Sequence, residues 1–283
     1  MNDTGIERVA VVSTGVIGMS WAAFFLAKGL SVRAIDPAPG AEALDGAQFV
    51  QENGPEREDL KRELFARINA LLPPDAIIAS GSSGLVMSRV QIACAHPERV
   101  VLGHPFNPPH LIPLVEVISG ERTSAQTIER TIDFYRALGK RPIHGHMEMK
   151  GHIANRLQAA LWCEAMHLVS IGAASVADID DAIAYGPGLR WAAFGPFTNL
   201  HLSGGAGGIA HVLDHLGGPM ESWWDDLGTP RMTPELKQRI VEGMPETLAK
   251  RSDEAIQNQR DAVVLGSARA ERRQRKTALS RSI

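Results

Sequence analysis

The sequence is poor in several things that specialised chains need. It has only two cysteines, Cys94 and Cys163, in 283 residues. Two thiols so far apart build neither a disulfide framework nor a zinc ribbon, and they suit a reducing compartment. No apolar run reaches membrane-spanning length. Residues 1–8 include Asp3 and Glu7 and no apolar stretch of the kind a leader needs, so a cytoplasmic protein is expected. Repeats and low-complexity tracts are missing, and the net charge is only −3. What remains is ordinary: 44% hydrophobic and 22% charged residues with 27 Gly and 17 Pro describe a globular chain of one large domain or two ordinary ones. One asymmetry stands out near the carboxyl end, where Arg269, Arg272, Arg273, Arg275, Lys276 and Arg281 face a single Glu271. The rest of the chain is mildly acidic and would oppose phosphate, so nucleic acid is not expected as a partner.

The first chemical signal is a turn between a strand and a helix. Val9-Ala10-Val11-Val12 is a short apolar run that enters Ser13-Thr14-Gly15-Val16-Ile17-Gly18, and a helical pattern from Met19 to Lys28 follows. Gly29 closes that helix, and Leu30 to Ile35 form a second strand ending at Asp36. Such a βαβ unit brings backbone close to a pyrophosphate at a helix N-terminus. Gly15 and Gly18 fill the second and third glycine positions of the dinucleotide fingerprint, whereas Ser13 stands at the first, where positive φ would strain it. Asp36, 21 residues after Gly15, is placed to accept hydrogen bonds from ribose hydroxyls and to repel a 2′-phosphate, which favours NAD over NADP.

The stretch from Pro37 to Gly46 is too short to carry a further strand and helix, so the sheet is expected to be abbreviated there. Beyond it come a strand at 47–51, a helix from Arg57 to Leu71, a strand at 76–79 entering a Ser/Gly loop, and a strand at 100–103 entering His104. From Lys150 helical patterns dominate, at about 152–171, 175–184, 197–216 and 233–250. The expected architecture is α/β: a Rossmann-type, mostly parallel sheet in residues 1–148, an all-helical domain in 149–250, and an extension with a basic tail in 251–283. His211 and His215 share a helical face, but no third ligand is evident and no metal site is expected.

Several ordered motifs resemble those of the 3-hydroxyacyl-CoA dehydrogenase superfamily: Gly15 with Gly18, Gln51-Glu52-Asn53-Gly54-Pro55-Glu56, Gly103-His104-Pro105-Phe106-Asn107-Pro108-Pro109, Leu114-Val115-Glu116-Val117, and Gly151-His152-Ile153-Ala154-Asn155-Arg156-Leu157. Gly186-Pro187-Gly188-Leu189-Arg190-Trp191-Ala192 and His201-Leu202-Ser203-Gly204-Gly205 are more particular to its carnitine-oxidising branch. The resemblance implies hydride transfer from a secondary alcohol to NAD, with His104 taking the hydroxyl proton and Glu116 holding the imidazole. Ser83 and Asn155 match residues that hydrogen-bond the reacting oxygen or the nearby nicotinamide, and Glu56, Lys61 and Asn107 match cofactor contacts. The nucleotide turn Ser13, Thr14, Gly15, Val16, Ile17 and Gly18 would hold the pyrophosphate.

Carnitine, a trimethylammonium carboxylate, is the implied substrate, and its pocket would want aromatic faces and one cation. Trp162, Trp191, Phe194, Phe197 and Arg190 are candidates, with core or dimer packing the equal alternative. An L-3-hydroxyacyl-CoA or L-gulonate remains the alternative substrate, and a degenerate, non-catalytic member the alternative protein. The CoA reading is weakened because the family segment that contacts the CoA nucleotide lies in the missing stretch. The resemblance also implies a homodimer through the helical domain.

Overall fold

The computed structural model describes residues 4–36, 40–249 and 251–280, with the side chains of 268 and 271–280 outside that description. The chain divides into two compact units, residues 1–157 and 158–283.

The first unit is built on a seven-stranded sheet of order β2-β1-β3-β4-β5-β6-β7. Its strands are β1 (Arg8–Val12), β2 (Ser31–Ile35), β3 (Phe49–Glu52), β4 (Ile77–Ser80), β5 (Val100–Pro105), β6 (Leu114–Ser119) and β7 (Arg141–Gly145). β1 to β5 run parallel, β6 is antiparallel to β5, and β7 is parallel to β6. Successive residues of a strand point to opposite faces, and the sequence supplies apolar side chains for both. Val9, Val11, Phe49, Ile77 and Val101 pack under α1 (Val16–Ala27) and α5 (Ala125–Ala137), which contribute Trp21, Phe25, Phe134 and Tyr135. Ala10, Val12, Val50, Ile78, Val100 and Leu102 face the other layer, with Leu44 from α2 (Ala41–Leu44), Phe65 and Ile68 from α3 (Glu58–Leu71) and Met87 and Val90 from α4 (Met87–Val90). A helix–sheet–helix sandwich results.

The sheet is abbreviated where the sequence is short. In the usual dinucleotide fold a third strand lies outside the second. Here the next strand after β2 crosses to the far side of β1, through residues 36–48 and the one-turn α2, and β2 is the edge of the sheet among the described residues. Strand and helix ends otherwise differ from the sequence-based expectation by a few residues; the strand expected to carry Glu116 is β6, while α5 and β7 were not separately anticipated.

The second unit is helical: the rest of α6 (Ala154–Ile171), α7 (Val176–Ala184), α8 (Pro187–Trp191), α9 (Pro196–Ser203), α10 (Gly208–Asp226), α11 (Pro234–Leu248) and α12 (Asp253–Ser280). The single helix expected over 197–216 is two helices. Gly204-Gly205-Ala206-Gly207-Gly208 interrupts it, with positive φ at Gly205 and Gly208, a conformation a continuing helix does not contain. The extension beyond 250 is helical to Ser280, but the side chains of Arg272, Arg273, Arg275 and Lys276, and all of Arg281, lie outside the described residues. No helix among the described residues is long and apolar enough to cross a membrane.

Candidate active site

Parallel strands deliver their carboxyl ends to one edge of the sheet, and the polar residues gather there. β1 ends at the glycine turn, β2 at Asp36, β3 at Glu52, β4 at Ser80 and β5 at Pro105; β6, running the other way, starts there with Leu114. A ligand crevice is expected outside such an edge.

The glycine turn has the shape its sequence implies, including the strain. Ser13 adopts φ 68, the conformation a glycine would take without cost, and its amide donates to the carbonyl of Ile35 at 2.8 Å. Gly18 is buried, and a methyl group there would collide with the carbonyl of Ser13; α1 therefore packs directly against the turn. At Gly15 a methyl group would meet nothing within 4 Å. Gly15 instead borders a cleft of about 730 Å³ with Ser13, Asp36 and Asn53-Gly54-Pro55, closed on the other side by Leu60, Leu64 and Arg67 of α3. Thr14 is half-buried, Val16 is exposed, and Ile17 packs on the core. An open position at the second glycine, a helix N-terminus behind it and a carboxylate at the next strand end fit a dinucleotide.

Two of the expected cofactor contacts sit elsewhere in this architecture. Lys61 is 1% exposed, and its ammonium lies 2.8 Å from both carboxylate oxygens of Glu52 and 3.1 Å from the carbonyl of Gly54. Glu52 accepts further bonds from the Gly54 amide at 2.5 Å and the Ser80 hydroxyl at 3.0 Å, so this buried pair shapes the 53–55 wall of the cleft from behind. Glu56 accepts from the Ser82 hydroxyl at 2.6 Å and from the amides of Gly84 and Leu85, which fixes the loop that carries Ser83. Neither side chain lines the cleft. Asn107 is exposed in the β5–β6 loop, before a cis peptide to Pro108.

His104 and Glu116 come together because their strands are antiparallel neighbours in register. They are direct cross-strand partners, so both side chains stand on the same face. Nδ1 of His104 lies 2.7 Å from Oε2 of Glu116, which is fully buried. Glu116 Oε1 accepts from the amides of Ile153 and Ala154, both at 2.9 Å, at the N-terminus of α6. Burial raises the Glu116 pKa, but the bonds from His104 and from the two amides outweigh it and hold the carboxyl below its ordinary value. An ionised carboxylate only accepts, so Nδ1 of His104 carries the proton and Nε2 is left with a free lone pair. The arrangement can take a proton from a hydroxyl and stabilise the imidazolium that forms.

The flanking residues converge on the same place. Asn155, on the first turn of α6, donates to the carbonyl of Ser83 at 3.3 Å, while the Ser83 side chain is exposed. His152, part of a family motif but with no role expected of it, is buried with φ 53. Its Nε2 is 3.2 Å from the carbonyl of Ser82, and its ring centre is 5.4 Å from that of His104. Burial first, then the nearby His104, lowers its pKa below the usual histidine value. The Glu52–Lys61 pair and the bond from Tyr135 to Gln51 at 2.6 Å were likewise not anticipated. His211 and His215 lie with ring centres 4.9 Å apart, and no group of three His, Cys, Asp or Glu residues suited to a metal occurs among the described residues.

Comparison with known proteins places this geometry. Residues 38–148 match the 3-hydroxyacyl-CoA dehydrogenase NAD binding domain, and residues 151–242 the 3-hydroxyacyl-CoA dehydrogenase C-terminal domain. The chain belongs to the 3-hydroxyacyl-CoA dehydrogenase family. As a member it is an NAD-dependent oxidoreductase acting on CH–OH groups. Among its relatives, the L-carnitine dehydrogenase of Streptomyces coelicolor is 44% identical over 301 aligned positions, covering 94% of this chain and 95% of that protein. The L-carnitine dehydrogenase of Pseudomonas aeruginosa is 41% identical over 305, again covering 94% and 95%. Both alignments span more positions than the 283 residues of this chain, so the relatives carry residues within that span that this member of the family lacks. Among solved structures, 5-formyl-3-hydroxy-2-methylpyridine 4-carboxylic acid 5-dehydrogenase, an NAD+-dependent dismutase, superposes with a TM-score of 0.79 at 26% identity, over 94% of this chain and 98% of that one. The 3-hydroxyacyl-CoA dehydrogenase of Archaeoglobus fulgidus shares the fold, with a TM-score of 0.67 at 22% identity over 84% and 87%.

Proposed function

We propose that this family member oxidises the 3-hydroxyl of L-carnitine to 3-dehydrocarnitine. The observation that carries this reading is the 40–44% identity, over more than nine-tenths of the chain, to relatives named L-carnitine dehydrogenase. The site supplies the matching chemistry. Nε2 of His104 takes the hydroxyl proton, and Glu116 keeps the imidazole in the required tautomer and stabilises its cation. Ser83 and Asn155 orient the reacting oxygen. Ser13, Thr14, Gly15, Val16, Ile17 and Gly18 hold the pyrophosphate, Asp36 the adenosine ribose, and Asn107 the nicotinamide side, with Glu56 and Lys61 acting through the loops they brace. NAD bound there supplies the acceptor for the hydride lost from carbon 3.

The helical unit offers groups suited to a small zwitterion. A cleft of about 440 Å³ within it is lined by Arg190, Phe194, Asn199 and Leu202, which supports one cation for a carboxylate and an aromatic face for a quaternary ammonium. The unit also exposes Trp162, Trp191 and Phe197, and a homodimer through this unit is part of the proposal.

Turnover is tested by incubating the purified protein with L-carnitine and NAD and following NADH absorbance, beside an L-3-hydroxyacyl-CoA and L-gulonate. Oxidation of either alternative in preference to carnitine overturns the substrate assignment. Titration calorimetry with NADH checks the cofactor site built on the abbreviated sheet, because a working site binds in the micromolar range, about −8 kcal/mol.

A further inference from the structure

Lys140 is a buried cation outside the machinery described so far. It is 4% exposed, just before β7, and forms no ion pair with a carboxylate among the described residues. Its ammonium donates to the carbonyl of Pro109 and, at 3.0 Å, to that of Ile112. It also lies over two rings of α1, 4.8 Å from the centre of Trp21 and 4.4 Å from that of Phe24. The charged neighbour bearing on it is another cation, Lys28 at the end of α1, itself 5.3 Å from the centre of Phe24. On the loop it grips is His110, whose Nδ1 is 2.8 Å from the Ser20 hydroxyl, and Arg141 follows it on β7.

A buried ammonium without a counter-ion persists only where dipoles and π faces replace the anion. Both carbonyls that do so belong to the β5–β6 loop, which leaves the sheet directly after His104-Pro105 and returns two residues before Glu116. The rings belong to the helix that begins at the glycine turn. One cation therefore ties the loop carrying Asn107 to the helix behind the nucleotide turn.

We propose that Lys140 is a positioning residue, which in its charged form holds the β5–β6 loop, and Asn107 with it, against α1. The inference rests on the assignment of His104 and Asn107 above. Burial, and then the charge of Lys28, bring the Lys140 pKa down to about 7, so the grip loosens as pH rises through that region. Loss of the proton removes the attraction to the rings and weakens both carbonyl bonds.

The test uses the full chain labelled with 5-fluorotryptophan, the Trp21 resonance being assigned with W21F. In the unmodified chain that resonance should move through one titration with pH, and in K140R, whose guanidinium keeps its charge, it should not. The ratio of kcat/KM for L-carnitine, K140R over the unmodified chain, should rise through the same midpoint. K140M should lower kcat on the order of 10- to 100-fold below that midpoint, the scale of a small misplacement of reacting groups, and by less above it, where the unmodified chain has lost the charge as well. A Trp21 resonance indifferent to pH, or a kcat/KM ratio that does not change with it, overturns the proposal. If K140M does not fold, the comparison with K140R decides alone. If carnitine is not turned over, the fluorine titration still reads Lys140, so failure of the substrate assignment is distinguishable.

Discussion

The two units dispose of their apolar residues in opposite ways. In residues 1–157 both faces of the sheet are covered by helices, and the two core clusters lie wholly within that unit. In the helical unit, α7, α8 and α9 contain no buried residue, and Trp162, Trp191, Phe194, Phe197, Trp223 and Trp224 are between 46% and 73% exposed. A sheet with helices on both sides closes its own core, whereas helices with wide apolar faces finish theirs against something else. In the proposed homodimer such a surface is the interface. The proposed proton-transfer pair, His104 and Glu116, is therefore housed in the self-contained unit, and the half with the exposed aromatic residues holds the cleft suited to a zwitterion.

This contrast can be broken by four experiments, of decreasing effect. H104Q should reduce kcat on the order of 10²- to 10⁴-fold while leaving the thermal midpoint within a degree or two, because it removes the base and little packing; an intact rate would remove His104 from the mechanism. K61M should destabilise the sheet unit by about 3–5 kcal/mol in urea unfolding, since it leaves Glu52 buried and uncompensated.

E116Q comes next. It should cost on the order of 1.5–3 kcal/mol at neutral pH, the range for a hydrogen bond to a charged group. Its pH dependence has a definite sign. A carboxyl whose folded pKa is depressed stabilises the fold above its unfolded value, and that contribution disappears as pH falls through the folded pKa. The stability difference between the two proteins should therefore shrink below about pH 4. A constant difference down to pH 2 would show that Glu116 is not ionised in the fold.

The smallest effect belongs to the helical unit. Replacing Trp223 and Trp224 by Ser should change the stability of a single chain by no more than about 0.5 kcal/mol per site, as for exposed positions generally. If a second copy covers that face, the thermal midpoint of the unmodified chain will fall on dilution and that of the double variant will already be low. A midpoint independent of concentration in both would leave the exposed tryptophans without a mate.

How much of this could be read in advance depends on distance along the chain. The glycine turn and Asp36 were legible because strand, turn and helix are consecutive and each is written in local propensity. The strain at Ser13 was legible for the same reason: positive φ at one residue is a local property. His104 and Glu116 could be paired only through family motifs, since the physical reason for their contact, an antiparallel register, is set by β6 and was not visible in periodicity. Lys61 shows the opposite case. The family resemblance implied a cofactor contact for it, but the end of β3 places Glu52 beneath it, and two opposite charges removed from water stabilise each other only in close contact. The continuous helix expected at 197–216 failed where four glycines in five residues removed the side chains that sustain one.

The sequence by itself determined the class of fold, the position of the nucleotide turn and the shortened stretch after Asp36, because each follows from local backbone preference or from the length of chain available. Only the tertiary structure decided that β3 crosses to the far side of β1, that Glu116 serves His104 and the first turn of α6 at once, and that Lys140 meets two carbonyls and two rings rather than an acid. Those outcomes depend on which strands become neighbours and which polar groups are then buried together. Burial turns a long-range coincidence into an interaction strong enough to matter.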